Sequence, residues 1–286
     1  MEKNRIACLI NYRDRPTELA LLLQSLRTQT HQDFDIFILD DFSGTPINNY
    51  YFLMYMFQRI QLEGNKVFFR RNEGFNLGVS RARQTIADWA IEEGYELLIR
   101  VDDDIILQRD YISRLLDVID MGYDMAGGIT TPFGPSIARD PKYLKGIINR
   151  VILDNEGNFI MNGDDCGYTY TRREILPAHH FRSCALYKAK IHEKVKYYPT
   201  KLTRHGFREE EIFSFKILMN GFKIGVDTSA VNYHLMTPSG GERFPEQAEM
   251  IKFNQQILEE FTKENKEALN KIFTQENMPN ELELKK

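Results

Sequence analysis

The stretch ELLIRVDDD, residues 96–104, contains the strongest local signal in the sequence. Residues 96–101 are mostly apolar and have the length of a strand, which is typical of a strand buried on both faces of a parallel sheet. The three aspartates that follow, Asp102, Asp103 and Asp104, repel one another unless a cation or hydrogen-bond donors neutralise them. They could also be the acidic first turn of a helix. Because ligands of open α/β sheets bind at the carboxyl ends of the strands, these aspartates are candidates for a ligand site.

Alternating strand and helix patterns extend from this stretch toward the N-terminus. Short apolar runs predict strands, and leucines at helical spacing predict a first helix that Thr17 caps. A helix between two parallel strands implies a right-handed crossover, so the chain up to residue 104 is expected to be a doubly wound α/β unit. The predicted strands span residues 6–10, 34–39, 66–70 and 96–101, and the predicted helices span residues 17–26, 50–61 and 79–92.

The pattern loosens from residue 131 to about residue 182, where turn signals cluster. Asn-Glu-Gly-Asn at 155–158 lies between two short apolar runs and predicts a hairpin. We interpret this region as a variable insert over the active site, and we expect His179 and His180 at the surface. Elsewhere the sequence predicts helices over residues 111–119, 186–195 and 210–220, strands over 125–129, 223–226 and 230–234, and one amphipathic C-terminal helix over 246–273.

Composition and charge exclude several classes of protein. The net charge is −4 and acidic and basic residues are interleaved, which argues against a nucleic-acid-binding face. No stretch reaches the roughly 18 apolar residues of a membrane span, and the first residues lack the apolar core of a signal peptide. The 3 cysteines are scattered and fit neither a disulfide framework nor a zinc site. We therefore expect a cytoplasmic protein, either freely soluble or bound peripherally to a membrane.

Three further groups of polar residues stand at the boundaries of predicted elements. Asp40 and Asp41 follow a predicted strand, where they could accept hydrogen bonds from a nucleotide base or ribose, or simply form a turn. The glutamates at 209–211 begin a predicted helix, where they suit the helix dipole and one of them could be a general base. His234 ends a predicted strand and could be a structural residue or a metal ligand.

Taken together in this order, these residues resemble the GT-A-fold glycosyltransferases of family 2. The resemblance covers roughly residues 4–235, and the whole pattern is more specific than any one motif. It is carried by INYRDRP at 10–16, QSLRTQT at 24–30, DDFS at 40–43, NEG at 72–74, SRAR at 80–83, the aspartates at 102–104, FRSCALYK at 181–188, GFREEE at 206–211, GFKIG at 221–225, and His234.

This resemblance implies a GT-A fold, in which helices flank a Rossmann-like, mostly parallel sheet that is followed by a looser acceptor-side region and a C-terminal helix. It implies a nucleotide-sugar-binding half over residues 1–130, an acceptor-binding and catalytic half of the same domain over 131–240, and a helical extension over 241–286. The implied reaction moves a sugar from a nucleoside diphosphate sugar, most commonly a UDP-sugar, to an acceptor hydroxyl with inversion at the anomeric carbon.

The same resemblance implies roles for the donor-side residues. Asp41 would bind the base with Tyr12 near its face, Arg83 would lie near the base or the diphosphate, and Asp102 would lie at the ribose. A divalent cation, Mn²⁺ or Mg²⁺, would be held by Asp104 or Asp103, and His234 matches a position that binds the metal in some family members. The implied donor-binding set is Asn11, Tyr12, Arg13, Asp41, Asn76, Arg83, Asp102 and Asp103.

The general base implied by the resemblance is Glu210. The family's Glu-Asp pair is a run of three glutamates here, so Glu209 and Glu211 stay open as alternatives. The base would deprotonate the acceptor hydroxyl as it attacks, while the metal would stabilise the leaving nucleoside diphosphate.

Three other functions are compatible with parts of the sequence. A nucleotidyltransferase usually opens with a glycine-rich phosphate loop, and residues 10–16 contain no glycine. A catalytically silent nucleotide-sugar-binding module would lack the base carboxylate, which the glutamates at 209–211 supply. An interaction protein could form a homodimer through the C-terminal helix. The acceptor could be a glycan, a lipid, a protein or a small molecule.

Overall fold

Strands and helices alternate along the chain as the sequence predicts. The computed structural model describes residues 5–133, 137–139, 150–153, 159–162, 168–170, 172–241 and 246–275. The strands are β1 Ile6–Tyr12, β2 Asp35–Asp40, β3 Val67–Arg71, β4 Leu97–Asp102, β5 Ile105–Leu107, β6 Met125–Pro132, β7 Ile137–Arg139, β8 Arg150–Leu153, β9 Phe159–Asn162, β10 Tyr168–Tyr170, β11 Ile175–Pro177, β12 Ala185–Lys188 and β13 Ile224–His234. The helices are α1 Pro16–Arg27, α2 Tyr51–Leu62, α3 Val79–Glu92, α4 Tyr111–Asp120, α5 Glu209–Met219, α6 Gln247–Glu264 and α7 Lys266–Gln275.

Nine of the described strands form one sheet in the order β11-β13-β6-β12-β4-β1-β2-β3, with β5 beside β13. β1 lies between β2 and β4 and runs parallel to both, and β3 continues the parallel half. The register sets Asn11 opposite both Leu39 and Asp102, so the carboxyl ends of three strands meet at one edge. The predicted doubly wound α/β unit is confirmed.

The other half of the sheet is mixed. β12 is antiparallel to β4 and β6, whereas β13 is parallel to β6 and antiparallel to β5 and β11. Pairing of β13 with β5 sets His234 opposite Ile105, and the backbone N–H of Leu235 donates to the carbonyl of Asp104 at 2.9 Å. The sheet thus brings the end of β13 beside the aspartates that follow β4.

The alternation of side chains along β1 produces two apolar layers, one on each face of the sheet. Ile6, Cys8 and Ile10 pack on the face covered by α1, α2 and α4. Ala7 and Leu9 pack on the opposite face, which α3 and α5 cover. Because both faces of the sheet are covered, central strands such as β1 and β2 are mostly apolar, which is why short apolar runs predicted them.

One predicted element is wrong in type, and two predicted strands are joined into one. The predicted helix over residues 186–195 is instead β12 followed by a short 3-10 helix, Ala189–Glu193. Leu186 and Tyr187 are fully buried in the middle of the sheet, so tertiary packing overrides the helical spacing of the sequence. The two strands predicted over 223–226 and 230–234 form one strand, β13, with an irregularity between Val226 and Val231.

Three local predictions are also corrected. Helix α1 begins at Pro16 with Arg15 in the N-cap position, so Thr17 lies within the helix and does not cap it. The predicted C-terminal helix over residues 246–273 is interrupted at Asn265 and forms α6 and α7. The histidines expected at the surface are buried, and the ring of His179 lies 4.6 Å from that of Phe273. The hairpin around residues 155–158 is confirmed by antiparallel pairing of β8 with β9, while 154–158 themselves lie outside the described residues.

The C-terminal helices pack on the chain's own domain. Leu269 and Phe273 of α7 are buried with Ile212 and Phe215 of α5 and with Leu258 of α6. This apolar face is therefore covered within one chain, and the homodimer through the C-terminal helix stays a prediction. Within the described residues, no helix is long and apolar enough to cross a membrane.

Candidate active site

A cavity of about 360 Å³ opens where the carboxyl ends of β1 and β4 meet the start of α5. It collects most of the residues predicted for the site, although those residues lie far apart in the sequence. Asn76 and Glu209 are the two predicted residues that do not line it. The predicted residues that line it are Asn11, Tyr12, Arg13, Asp41, Arg83, Asp102, Asp103, Asp104, Glu210, Glu211 and His234.

The side chain of Arg83 links the two halves of this cavity. It projects from α3, is 6% exposed, and donates to Asp102 Oδ1 at 2.7 Å on one side. On the other side it contacts the carboxylate of Glu209 and lies 3.2 Å from Glu210 Oε1. One buried cation on α3 therefore balances one carboxylate of β4 and two of α5, which fixes these three elements relative to one another.

The three glutamates at the start of α5 have different surroundings. Glu209 is buried behind Arg83 with its side chain 2% exposed, whereas the side chain of Glu210 is 21% exposed and faces the cavity. Glu211 is paired with Arg208, whose Nη1 donates to its Oε1 at 2.7 Å. Of the three carboxylates, that of Glu210 is the most open to a ligand in the cavity.

The electrostatic environment separates the same glutamates. Burial raises the pKa of Glu209 to about 7, and the neighbouring charge of Glu210 adds to the shift. For Glu210 the effect of burial is outweighed by the charges of Arg83 and Arg100, and its pKa is lowered. Glu210 is therefore ionised at neutral pH, as a general base must be.

The carboxylates of Asp103 and Asp104 are paired with nitrogen groups of the chain itself. Arg15 Nη1 donates to Asp103 Oδ1 at 2.8 Å and lies 3.0 Å from Asp104 Oδ2 as an ion pair. The backbone N–H of Arg13 donates to Asp103 Oδ2 at 3.0 Å, and His234 Nε2 lies 3.2 Å from Asp104 Oδ1. Burial raises the pKa of Asp103 to about 7 even with Arg15 beside it.

The residues predicted to hold a divalent cation do not fit one in this arrangement. All four carboxylate oxygens of Asp103 and Asp104 already contact a nitrogen of Arg13, Arg15 or His234. Within the described residues, no group of three or more His, Cys, Asp or Glu side chains is arranged to hold a metal ion. The metal assignment stays a prediction.

The two aspartates after β2 have separate structural environments. Asp40 is fully buried and accepts hydrogen bonds from Ser43 N, Ile47 N and Arg71, so it shapes the turn after the strand. Asp41 lines the cavity, and its carboxylate accepts the backbone N–H groups of Leu77 at 2.9 Å and Gly78 at 3.1 Å. Asp41 thus holds the loop that precedes α3, and its role in reading a base stays a prediction.

Other donor-side residues lie near this loop. Asn11 Oδ1 is buried in the cavity wall and accepts no hydrogen bond from the described residues, so it is an available acceptor. Asn76 lies in the loop before α3, where its Oδ1 accepts the N–H of Gly78 at 2.7 Å. It supports the loop from outside the cavity.

Several cavity residues were missed from the sequence. Arg15 lies inside the opening motif, and the charge of three adjacent aspartates was the signal that a cation should face them. Arg182 and Ser183 directly precede β12, and Ser183 N lies 3.3 Å from Glu210 Oε1. Both belong to the segment 181–188 that contributed to the family resemblance, but no site role was assigned to either residue.

This chain resembles a known protein family in sequence pattern and known structures in fold. The family model described as glycosyl transferase family 2 matches residues 7–179. No curated protein matches the chain in sequence. The fold is similar to the crystal structure of GalNAc-T7 with UDP, GalNAc and Mn²⁺, with a TM-score of 0.61 and 15% identity over 90% of this chain and 48% of that one.

The fold is also similar to that of TarS from S. aureus. The TM-score is 0.57 at 14% identity, over 91% of this chain and 43% of that one. A TarS 1–349 structure in complex with UDP gives a TM-score of 0.53 at 13% identity, over 82% of this chain and 61% of that one. The present chain therefore spans less than two thirds of each of these structures. At such identities the likeness establishes the GT-A fold that the sequence implied.

Proposed function

The chain belongs to glycosyl transferase family 2, and on that basis we propose that it transfers a sugar from a nucleoside diphosphate sugar to an acceptor hydroxyl. The observation that carries the proposal is the cavity at the carboxyl edge of the sheet. It joins the predicted donor-binding residues of β1 and β4 to an ionised carboxylate at the start of α5.

The reaction step is a direct displacement at the anomeric carbon. Glu210 accepts the proton of the acceptor hydroxyl as its oxygen attacks, and the bond to the diphosphate breaks on the opposite side of the sugar. The configuration at the anomeric carbon is therefore inverted. Three features support Glu210 in this role: its exposure to the cavity, its lowered pKa, and the contacts from Arg83 and Ser183 that orient it.

The donor half of the cavity supplies polar groups for a nucleotide. Asn11 Oδ1 is an available acceptor, and the carboxylate of Asp102 is partly exposed beside Arg83. We propose uridine as the base, since the structures of GalNAc-T7 and TarS 1–349 both contain UDP. The positive charge of Arg15 and Arg83 in the cavity wall would attract the diphosphate.

Binding of a divalent cation stays a proposal, and the reaction step described above does not include one. The structure of GalNAc-T7 contains Mn²⁺, and the sequence pattern led us to expect a metal here. Since Arg15 contacts both carboxylates predicted to bind the ion, the chain's own residues already supply one positive charge at that position.

The alternative functions are less well supported. A silent binding module would not need an ionised carboxylate held toward the cavity, as Glu210 is. A nucleotidyltransferase is disfavoured by the match to the glycosyl transferase family and by the absence of glycine in residues 10–16. The acceptor is a glycan, a lipid, a protein or a small molecule.

We expect one nucleotide-sugar to be consumed by the purified protein. The measurement is release of nucleoside diphosphate from UDP-, GDP- and dTDP-sugars, with water and a panel of simple sugars as acceptors. UDP should be released from at least one UDP-sugar faster than in a matched Glu210→Gln sample. If wild type binds a nucleoside diphosphate but releases none above the Glu210→Gln background, the silent-module reading is favoured over the enzyme.

A further inference from the structure

Arg15 lies between the two aspartates predicted to bind a cation. Its side chain is 8% exposed, and those of Asp103 and Asp104 are 6% and 1% exposed. Its Nη1 atom lies 2.8 Å from one carboxylate and 3.0 Å from the other. One fixed positive charge is therefore shared by two buried carboxyl groups, which is the position that a bound cation would take.

Neighbouring backbone groups hold the side chain of Arg15 in this position. Pro16 begins α1 directly after it, and the carbonyl of Ser239 accepts a hydrogen bond from its Nε at 3.3 Å. Gly240 and Gly241 cover the side chain: a Cβ on Gly240 would lie 2.6 Å from Arg15 Cγ, and a Cβ on Gly241 would lie 2.7 Å from Arg15 Cζ. Both glycines have positive φ angles, +71° and +59°, which also favours glycine there.

A divalent cation and Arg15 exclude one another at these carboxylates. A guanidinium stays charged at all relevant pH values, so Arg15 cannot make room by losing a proton. A metal ion bound to both aspartates would lie within a few ångströms of a like charge in a buried setting, where repulsion is weakly screened. The packing of Gly240 and Gly241 also limits how far the side chain can withdraw.

We propose that Arg15 is the resident counter-ion of Asp103 and Asp104 and competes with divalent cations for them. The cavity then binds Mn²⁺ weakly by itself, and Arg15 presents the positive charge that a diphosphate meets. The second statement rests on the proposed function, whereas the competition with metal does not. If Arg15 had only a structural role, its loss would loosen the site and lower the affinity for a metal ion, whereas competition predicts that the affinity rises.

The test is titration with Mn²⁺ alone, followed by the electron paramagnetic resonance signal of the free ion. Arg15→Gln removes the charge but keeps a hydrogen-bond donor, and it should bind Mn²⁺ at least about tenfold more tightly than wild type. Arg27→Met is the matched control. Arg27 is the last residue of α1, the helix that Arg15 precedes, and it pairs with the exposed Glu63. The control variant should bind Mn²⁺ as wild type does. Affinity in Arg15→Gln that equals or falls below that of wild type overturns the proposal.

A second measurement uses the wild-type protein and is independent of how the variant folds. UDP is titrated by calorimetry in the presence of a chelator and again with Mn²⁺. We expect the two dissociation constants to agree within about threefold, since Arg15 already occupies the cation position. Binding that requires Mn²⁺ overturns the proposal. Absence of UDP binding under both conditions contradicts the choice of uridine nucleotide in the proposed function instead, and the Mn²⁺ titration still decides the role of Arg15.

Discussion

Glu210→Gln is expected to lower the rate of sugar transfer about 10²- to 10⁴-fold, the usual contribution of a positioned general base. The glutamine keeps the size and the hydrogen-bond acceptor of the side chain but cannot take a proton from the acceptor hydroxyl. Affinity for the nucleoside diphosphate should stay within about threefold of wild type, because Glu210 is not among the residues proposed to bind the donor. The measurement is kcat for the best donor together with the dissociation constant of its nucleoside diphosphate.

The neighbouring glutamates supply the controls for this result. Glu211→Gln removes the same charge one residue further along α5, but its carboxylate is paired with Arg208, so kcat should fall less than about tenfold. Because the pKa of Glu210 is lowered, protonation of this base should slow the wild-type enzyme only as the pH drops below the usual glutamate pKa of about 4.3. Full activity in Glu210→Gln, or a larger loss in Glu211→Gln, would move the base away from Glu210.

Arg83→Met is expected to reduce the free energy of unfolding by about 3–5 kcal/mol, the typical cost of removing one partner from a buried ion pair. The substitution leaves the carboxylates of Asp102, Glu209 and Glu210 close together without the cation that balances them. Methionine fills a similar volume, so the loss reports mainly the missing charge. Urea unfolding monitored by circular dichroism measures the effect.

Two further variants identify the cause of that loss. Arg81→Met removes an exposed arginine from the same helix, where it stacks near Phe75 and Tyr198, and should cost less than about 1 kcal/mol. Adding Glu209→Gln to Arg83→Met removes one of the uncompensated buried charges and should restore part of the stability. If Arg83→Met costs no more than the Arg81 control, the buried network does not hold the two halves of the cavity together.

The sequence predicted the parallel half of the fold because three of its strands, β1, β2 and β4, are buried on both faces. The apolar runs of β1, β2 and β4 therefore have one interpretation, and the polar residues after them mark the strand ends. Tyr187 shows where this reasoning fails. Its segment has apolar residues at helical spacing, and only the position of β12 between β4 and β6 makes it a strand.

The sequence likewise predicted some features of the candidate site and could not predict others. The resemblance to family 2 implied that Asp102 and Glu210 belong to one site, and the cavity brings them together. The sequence could not distinguish Glu210 from its two neighbours, because exposure and pairing depend on the tertiary contacts of Arg83 and Arg208. It also could not reveal that Arg15 faces the aspartates, since this contact joins residues that are 88 positions apart.

A thermal-shift panel shows whether the cavity binds a nucleoside diphosphate. UDP, GDP, dTDP and CDP are added separately, each with Mn²⁺ and with a chelator. A ligand at about a hundred times its dissociation constant stabilises a protein by roughly 2.7 kcal/mol, which gives a readable rise in melting temperature. We expect one of the four, UDP, to stabilise the protein well above the others. If none of the four stabilises the protein under either condition, the cavity does not bind a nucleoside diphosphate.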